Sequence, residues 1–130
     1  MDKVVNKKPV DVIYIEVPSP QQSKEAFIQL ESKLPSLKGR KFYGIAFSDK
    51  YFVAVEIHDE QEPKKYGLPT YIIPGGKYAK TEVKDYMQNL HKIPTTFEKL
   101  EKEYPRDETR PAIEFYERGD KLICLLPLKS

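Results

Sequence analysis

Tryptophan is absent from this chain of 130 residues, and cysteine occurs only once, at Cys124. A single cysteine excludes a disulfide within the chain, and no signal-peptide pattern precedes the first predicted strand, so we expect a cytoplasmic protein. No apolar run is long enough to cross a bilayer, which excludes a helical membrane span. The only Gly-Gly pair, in Pro74-Gly75-Gly76-Lys77, lacks the Walker spacing and its Ser or Thr, so no phosphate loop is predicted.

The chain also lacks an excess of either charge, since it contains 22 basic and 20 acidic residues and its formal net charge is +2. This balance gives no electrostatic basis for binding nucleic acid or a membrane surface, and we predict neither. We also see no helix-turn-helix segment, so a self-contained transcription factor is not expected. Lys3, Lys7 and Lys8 form a short basic start that we interpret as a solvated tail.

Metal-ligand spacing is absent as well. His58, Asp59, Glu60 and Glu62 form an acidic loop, but His91 is remote from them and falls on a predicted helix. No known site has such spacing, so we predict neither a metal ion nor a cofactor.

The aromatic residues that are present are nine tyrosines and six phenylalanines. A tyrosine joins an apolar ring to a polar tip, which suits both the edge of a core and the wall of a pocket. The length is that of one domain with a substantial core, which we place at residues 1–130.

The first half of the chain reads as strand, helix, strand, strand. Residues 10–17 are predicted to form a strand, and Ser19-Pro20 predicts a helix start with Ser19 as N-cap. Phe27, Leu30 and Leu34 recur at helical spacing up to Pro35. Two further strands, 42–47 and 52–57, then flank a turn at residues 48–50.

The second half repeats this order. Residues 70–83 are predicted to be extended and broken at Pro74-Gly75-Gly76, which reads as a bend or bulge. A helical stripe follows, made of Leu90, Ile93, Phe97, Leu100 and Tyr104. Pro94 interrupts the stripe, so either the helix kinks there or its regular part begins nearby. A hairpin with a turn at Gly119 and Asp120 closes the chain.

These patterns predict an α+β fold made of a duplicated strand-helix-strand-strand module with pseudo-twofold symmetry. The modules cover residues 10–57 and 68–129, and a polar linker, 58–67, joins them. We expect a mostly antiparallel sheet with both helices on one face and a ligand cleft between the halves on the other.

Glu114 is the most informative residue of the closing hairpin. It shares one strand face with Ala112 and Tyr116, while Ile113 and Phe115 share the other. We expect the second pair to meet the helix and Glu114 to face the cleft. A buried carboxylate needs a partner, so Glu114 is either bonded to a nearby Tyr or Arg, half exposed, or kept for a ligand.

Alignment of the two predicted hairpins places Gly44 at the position equivalent to Glu114. A glycine opposite a glutamate leaves room, as a ligand pocket requires.

Four segments in order resemble the motifs of GyrI-like small-molecule-binding domains. Ile73-Pro74-Gly75-Gly76-Lys77-Tyr78-Ala79 is similar to the family's I-P-x-G-x-Y-A, and Pro111-x-x-Glu114-x-Tyr116 to its P-x-x-E-x-Y. Leu126-Pro127-Leu128-Lys129 resembles the closing I-P-V-K, and Tyr43-Gly44-Ile45 the start of the first hairpin. The resemblance covers the chain from Val10 onward, and the duplicated architecture of the family agrees with the repeat.

The resemblance implies a ligand-binding fold. Members act as effector domains of AraC-type and MerR-type multidrug regulators of transcription, as stand-alone binders of drugs or dyes, and as gyrase-inhibitory proteins. Some stand-alone members hydrolyse cyclopropane-bearing genotoxins. We expect a stand-alone binder of lipophilic, cationic or aromatic compounds, with a hydrolase of such genotoxins and a gyrase-type interaction module as alternatives.

In the family the glutamate of P-x-x-E-x-Y receives cationic ligands, and here it is Glu114. It would also be the catalytic residue of a hydrolase, because burial raises a carboxyl pKa into the range of acid–base catalysis. Where members often carry Trp in the second helix, this chain has either Phe97 or no equivalent, and Glu56 is either a second pocket acid or a solvent-facing residue. Candidate wall residues of the pocket are Tyr43, Tyr71, Tyr78, Tyr116 and Phe42.

Overall fold

The computed structural model describes residues 3–117 and 120–129. In this part of the chain eight strands form one curled antiparallel sheet, in the order β1-β6-β8-β7-β3-β4-β2-β5. The strands are β1 Lys3–Lys7, β2 Val10–Val17, β3 Phe42–Ala46, β4 Tyr51–Glu56, β5 Thr70–Ile73, β6 Gly76–Lys84, β7 Ala112–Tyr116 and β8 Lys121–Pro127. The helices are α1 Ser23–Lys33, α2 Glu62–Tyr66 and α3 Lys92–Glu103. This confirms an α+β fold with two main helices.

The strands of each half lie together, and the two halves meet at the centre of the sheet. β2, β3 and β4 form one side, while β6, β7 and β8 form the other. The junction is the antiparallel pair β3–β7, in which Gly44 is the direct partner of Glu114. The two positions that the hairpin alignment made equivalent are therefore neighbours in space.

The outer strand of each side comes from the other half of the chain. β1 pairs with β6, and β5 pairs with β2. The interpretation of Lys3, Lys7 and Lys8 as a solvated tail is therefore wrong, because residues 3–7 form a strand. Val5 lies opposite Tyr78 in this strand and packs against the core. The predicted break at Pro74-Gly75 is the point where the chain passes from β5 to β6.

α1 begins one turn later than the sequence predicts. A short 3-10 helix, Pro20–Gln22, precedes it, and the Gln22 amide donates a hydrogen bond to the Ser19 carbonyl oxygen over 3.1 Å. The Ser19 side chain forms no capping hydrogen bond. The chain thus becomes helical at Pro20 as predicted, but its first turn is a 3-10 helix, and the predicted side-chain N-cap is wrong.

The regular part of α3 starts at Lys92, so Pro94 lies in its first turn and does not kink the helix. Four residues of the predicted stripe pack against β6 and β8: Ile93, Phe97, Leu100 and Tyr104. Leu90 precedes the helix and is exposed, so its assignment to the stripe is wrong. Among the described residues, no helix has the length and apolarity needed to span a membrane.

Both main helices pack on one face of the sheet. Ala26 and Leu30 of α1 pack with Val53 of β4, and Leu100 of α3 packs with Cys124 of β8. Directly opposed residues of an antiparallel sheet share a face. Cross-strand pairing runs from Val53 through Gly44 and Glu114 to Cys124, so all four face the helices.

The expected orientation of the closing hairpin is therefore inverted. Ile113 and Phe115 lie on the face without helices, where they pack with Tyr43 and Ile45. Glu114 lies on the helix face, not on an open floor opposite the helices. Period-two alternation shows which residues share a face, but both faces of this sheet are largely apolar, so alternation does not show which face the helices cover.

The segment predicted to be a polar linker contains the short helix α2 and a buried ion pair. The two terminal guanidinium nitrogens of Arg40 donate to the Glu62 carboxylate, over 3.0 Å and 2.5 Å, and the His58 backbone amide donates to it over 2.9 Å. Glu62 is only 6% exposed. Glu62 of this loop thus has a structural partner, Arg40, which fixes α2 to the segment two residues before β3.

Candidate functional site

The candidate site is a buried carboxylate with two phenol donors, on the sheet face between α1 and α3. Glu114 of β7 is 7% exposed, and its Oε1 atom accepts hydrogen bonds from Tyr51 and Tyr116 hydroxyls, each over 2.9 Å. The two hydroxyl oxygens lie 3.1 Å apart. The three groups form one compact polar cluster in an otherwise apolar layer.

Gly44 makes this cluster possible. A Cβ atom at position 44 would lie 1.7 Å from the Tyr51 hydroxyl oxygen and 3.1 Å from Oε1 of Glu114. The space that the sequence predicted beside Gly44 therefore exists, and the Tyr51 hydroxyl fills it.

The electrostatics of the cluster favour neutral groups. Burial raises the pKa of Glu114, and the hydrogen bonds from Tyr116 and Tyr51 oppose this shift only in part. Burial and the nearby charge of Glu114 also raise the pKa of Tyr51 and of Tyr116, so both phenols stay protonated and donate. Within the described parts of the chain, no lysine or arginine forms an ion pair with Glu114.

The second carboxylate oxygen, Oε2, accepts no hydrogen bond from residues 3–117 or 120–129. An ionised carboxylate has several acceptor positions, and burial without a cation is unfavourable. The cluster therefore lacks both a positive charge and a donor to Oε2.

Aromatic rings from the helix side enclose the cluster. The Tyr116 ring contacts Phe27 of α1 in edge-to-face geometry, with ring centroids 5.1 Å apart. It also contacts Tyr86, which precedes α3, at 5.5 Å. Phe27 and Tyr86 belong to the two helical segments that flank the site.

Cys124 is the β8 partner of Glu114 and is fully buried. Burial and the nearby Glu114 raise the pKa of its thiol to about 12. The thiol is therefore protonated at neutral pH, which makes it a poor nucleophile. Cys124 therefore fills space next to Glu114 and supplies no nucleophile to the site.

The residues predicted for the pocket divide between the two faces. Glu114 and Tyr116 lie together, and Phe42, the β3 partner of Tyr116, packs on the same face. Phe97 also packs on this face, under α3. Four others lie on the face without helices: Tyr43, Glu56, Tyr71 and Tyr78.

Glu56 belongs to the second group because alternation along β4 puts it beside Ala54, the partner of Tyr43. It lies 4.0 Å from Lys41 in an exposed ion pair.

Sequence reasoning missed three residues of the site: Tyr51, Phe27 and Tyr86. Tyr51 directly follows the predicted turn at residues 48–50, yet it is only 1% exposed. The available signal was the alternation Tyr51-Val53-Val55, which puts Tyr51 on the buried face of β4, next to a glycine in β3. Tyr86 gave no signal, because it lies in a short 3-10 helix after β6.

A curled antiparallel sheet with two helices on one face and an acid between them has the GyrI-like fold that the sequence motifs predict. No protein-family model and no curated protein sequence matches the chain. Solved structures do match it. An integron cassette protein from the mobile metagenome of Vibrio cholerae has a TM-score of 0.68 and 10% identity, covering 98% of this chain and 95% of that one.

SAV2435, solved with tetraphenylphosphonium bound, has a TM-score of 0.66 and 11% identity over 100% of this chain and 94% of that one. A hydrolase from Listeria innocua has a TM-score of 0.55 and 11% identity over 98% and 91%. At these identities the likeness establishes a common fold.

Proposed function

We propose that this protein binds lipophilic organic cations, with Glu114 as the anionic anchor. The observation that carries the proposal is a buried carboxylate with one unbonded oxygen and no ion-pair partner in the described chain. A ligand cation would supply the missing positive charge. Attraction between opposite charges strengthens as the site excludes water, so a buried anchor selects cations that shed their hydration easily.

The rings around Glu114 support a lipophilic ligand over a small inorganic cation. Phe27 and Tyr86 each contact the Tyr116 ring edge to face on the helix side of the cluster. Each aromatic face in contact with a cation contributes about 0.5–2 kcal/mol.

Two further observations agree with this proposal. SAV2435, which shares the fold, has been solved with the lipophilic cation tetraphenylphosphonium. The strand order is also symmetric about the β3–β7 pair, which supports two copies of one module, residues 10–57 and 68–129, with the ligand cleft where they meet. Glu114 lies on that seam.

Titration with tetraphenylphosphonium by isothermal calorimetry tests the proposal. We expect one saturable site per chain, and we expect Glu114→Gln to weaken binding at least about tenfold, since interactions with a charged group contribute ~1.5–3 kcal/mol. Glu60→Gln is the matched control, because Glu60 is exposed and makes none of the contacts described here. Equal binding by wild type and Glu114→Gln would remove Glu114 as the anchor and bring the protein-interaction alternative forward.

Proton release gives a second test of the same site. Because burial raises the pKa of Glu114, its carboxyl takes up a proton at a higher pH than an exposed glutamate does, and a bound cation favours the ionised form. Affinity should therefore increase as the pH rises towards the pKa of Glu114, with proton release visible in buffers of different ionisation enthalpy. The Glu114→Gln variant should show neither effect. A pH-independent affinity in the wild type would contradict the proposed contact.

The same cluster favours a second candidate function, the hydrolysis of a strained electrophile. In this role Oε2 of Glu114 would take a proton from water, and Tyr51 or Tyr116, whose hydroxyls donate to Oε1, would donate one to a leaving group. The Listeria innocua protein with this fold is described as a hydrolase. Incubation with a cyclopropane-bearing electrophile separates the two functions: an enzyme forms product in molar excess over protein, whereas a binder stops at one equivalent.

A further inference from the structure

A cavity of about 200 Å³ lies on the opposite face of the sheet from Glu114. Its apolar wall is formed by Val5, Phe115, Ile123 and Leu125, from β1, β7 and β8. Cross-strand pairing puts these residues on the face without helices, where the Phe115 ring stacks on Tyr43 with centroids 5.0 Å apart. The cavity therefore has an aromatic side and aliphatic sides, and the sheet separates it from the candidate cation site.

The polar side of the cavity is basic. Lys7 of β1 and Lys80 of β6 both line it. Lys3 is the direct cross-strand partner of Lys80, and β1 alternation puts Lys3 on the same face as Lys7. Like charges in directly opposed positions destabilise a sheet pair. Three lysines thus lie on one face of the β1–β6 pair, and two of them, Lys7 and Lys80, line the cavity.

These lysines lack compensating partners. In the described chain, Lys3, Lys7 and Lys80 take part in no ion pair. Burial, followed by the charges of Lys80 and Lys41, lowers the pKa of Lys7, while Glu56 acts weakly in the opposite sense. Glu117 also lines the cavity, but it is exposed at its edge and bonds to none of the lysines. Within the described residues, the lysines of the cavity therefore have no carboxylate bonded to them.

We propose that this cavity is a second binding site, for a small aromatic carboxylate whose ring packs on Phe115, Ile123 and Leu125 and whose carboxylate bonds to Lys7 and Lys80. Its volume is below the ~300–1,000 Å³ of pockets that enclose drug-sized molecules, so it takes a ligand of one ring. The charge of this ligand is opposite to that of the ligand at Glu114. The protein then has an anion site and a cation site on opposite faces of one sheet.

Titration of benzoate into isotope-labelled protein, followed by amide chemical shifts, tests the site. We expect saturable shifts in β1 and β6, and no such shifts with benzamide, the neutral molecule of the same shape. Lys7→Gln and Lys80→Gln should each weaken binding at least about tenfold, in line with hydrogen bonds to charged groups. Lys84→Gln should bind as the wild type does, because it removes the same charge from β6 four residues, or about 13 Å, away.

Two further measurements complete the test. Inorganic phosphate should compete with benzoate only weakly, since it has no ring for the apolar wall. Glu114→Gln should bind benzoate normally, so failure at the cation site leaves this site measurable. The proposal is overturned by the absence of saturable benzoate binding, by equal shifts with benzamide, by phosphate competing on equal terms, or by Lys84→Gln weakening benzoate as much as Lys80→Gln.

Discussion

The contact between Tyr51 and Glu114 depends on the missing side chain at position 44. Tyr51 lies next to Gly44 on the helix face, and its hydroxyl passes over the glycine to reach the carboxylate. A buried acid without a cation is then held by two neutral donors, a weaker arrangement than an ion pair. At the scale of single residues, two hydrogen bonds hold Glu114 in place, but no lysine or arginine of the described chain balances its charge.

Gly44→Ala should destabilise the fold by about 2–4 kcal/mol, because a methyl group there displaces Tyr51 and leaves Glu114 with an unmet hydrogen bond. Urea denaturation followed by far-UV circular dichroism measures the loss. Tyr51→Phe removes the hydroxyl alone and should lose less, about 1–2 kcal/mol. An alanine variant as stable as the wild type would show that Tyr51 does not occupy the space above Gly44.

At the scale of elements, the ion pair between Glu62 and Arg40 stabilises α2 more than the hydrogen bonds within this short helix do. A helix of five residues is too short to be stable alone. Two Arg40 nitrogens and the His58 amide bind Glu62, and these bonds lower the pKa of its carboxyl to about 2. The segment 58–67 is therefore a fixed part of the molecule, attached to the start of β3.

Glu62→Gln should destabilise the protein by about 3 kcal/mol at neutral pH, because it leaves Arg40 buried without its counter-ion. The pKa of Glu62 is lowered by folding, so its contribution is complete above the unfolded value of ~4.3 and is lost as the pH falls towards about 2. Denaturation of both proteins between pH 7 and pH 2 should show the curves converging in acid. Glu60→Gln, two residues away and exposed, should follow the wild type, and parallel curves for Glu62→Gln would refute the assignment.

Strand prediction succeeded where alternation and turn residues agree along the chain, and failed where partners are distant. β2, β3, β4 and the closing hairpin were all predicted, and the equivalence of Gly44 and Glu114 followed from the hairpin turns. β1 was missed because its pairing with β6 lies far away in sequence and its lysines resemble a solvated tail. The turn at Gly119 falls outside the described residues.

The sequence predicted Glu114 and Tyr116 as residues of the site, but it did not predict all of the residues that surround them. The P-x-x-E-x-Y motif marks Glu114, whereas Tyr51, Phe27 and Tyr86 come from three other segments. No local pattern records that these segments meet. The position of Tyr43, Tyr71 and Tyr78 on the opposite face depends on which face the helices cover, and that is decided by packing of the whole chain.

At the scale of the whole molecule, neither half has a complete sheet of its own. β1 completes the second half and β5 completes the first, while β3 and β7 join the two along the centre. Separation of the halves would expose three sets of backbone donors and acceptors at once. The single domain that we predict for residues 1–130 rests on this exchange of strands.

Unfolding in urea should therefore be a single transition, with tyrosine fluorescence and far-UV circular dichroism giving the same midpoint. The control is the expressed fragment of residues 1–67, which lacks β5 and β6 and should be unfolded by circular dichroism. Two separate transitions, or a folded fragment, would show that the halves are independent domains.

The exchange of β1 also sets an order of events on the ribosome. Of the described strands, β1 is made first, yet its partner β6 begins only at Gly76. Synthesis runs at roughly 5–20 residues per second, so β1 waits unpaired for several seconds while β2, β3, β4 and β5 emerge and pair with one another. The edge of β3 stays open for longer, because its partner β7 begins only at Ala112, so the nascent chain presents both an unpaired β1 and an open β3 edge until β6 is made.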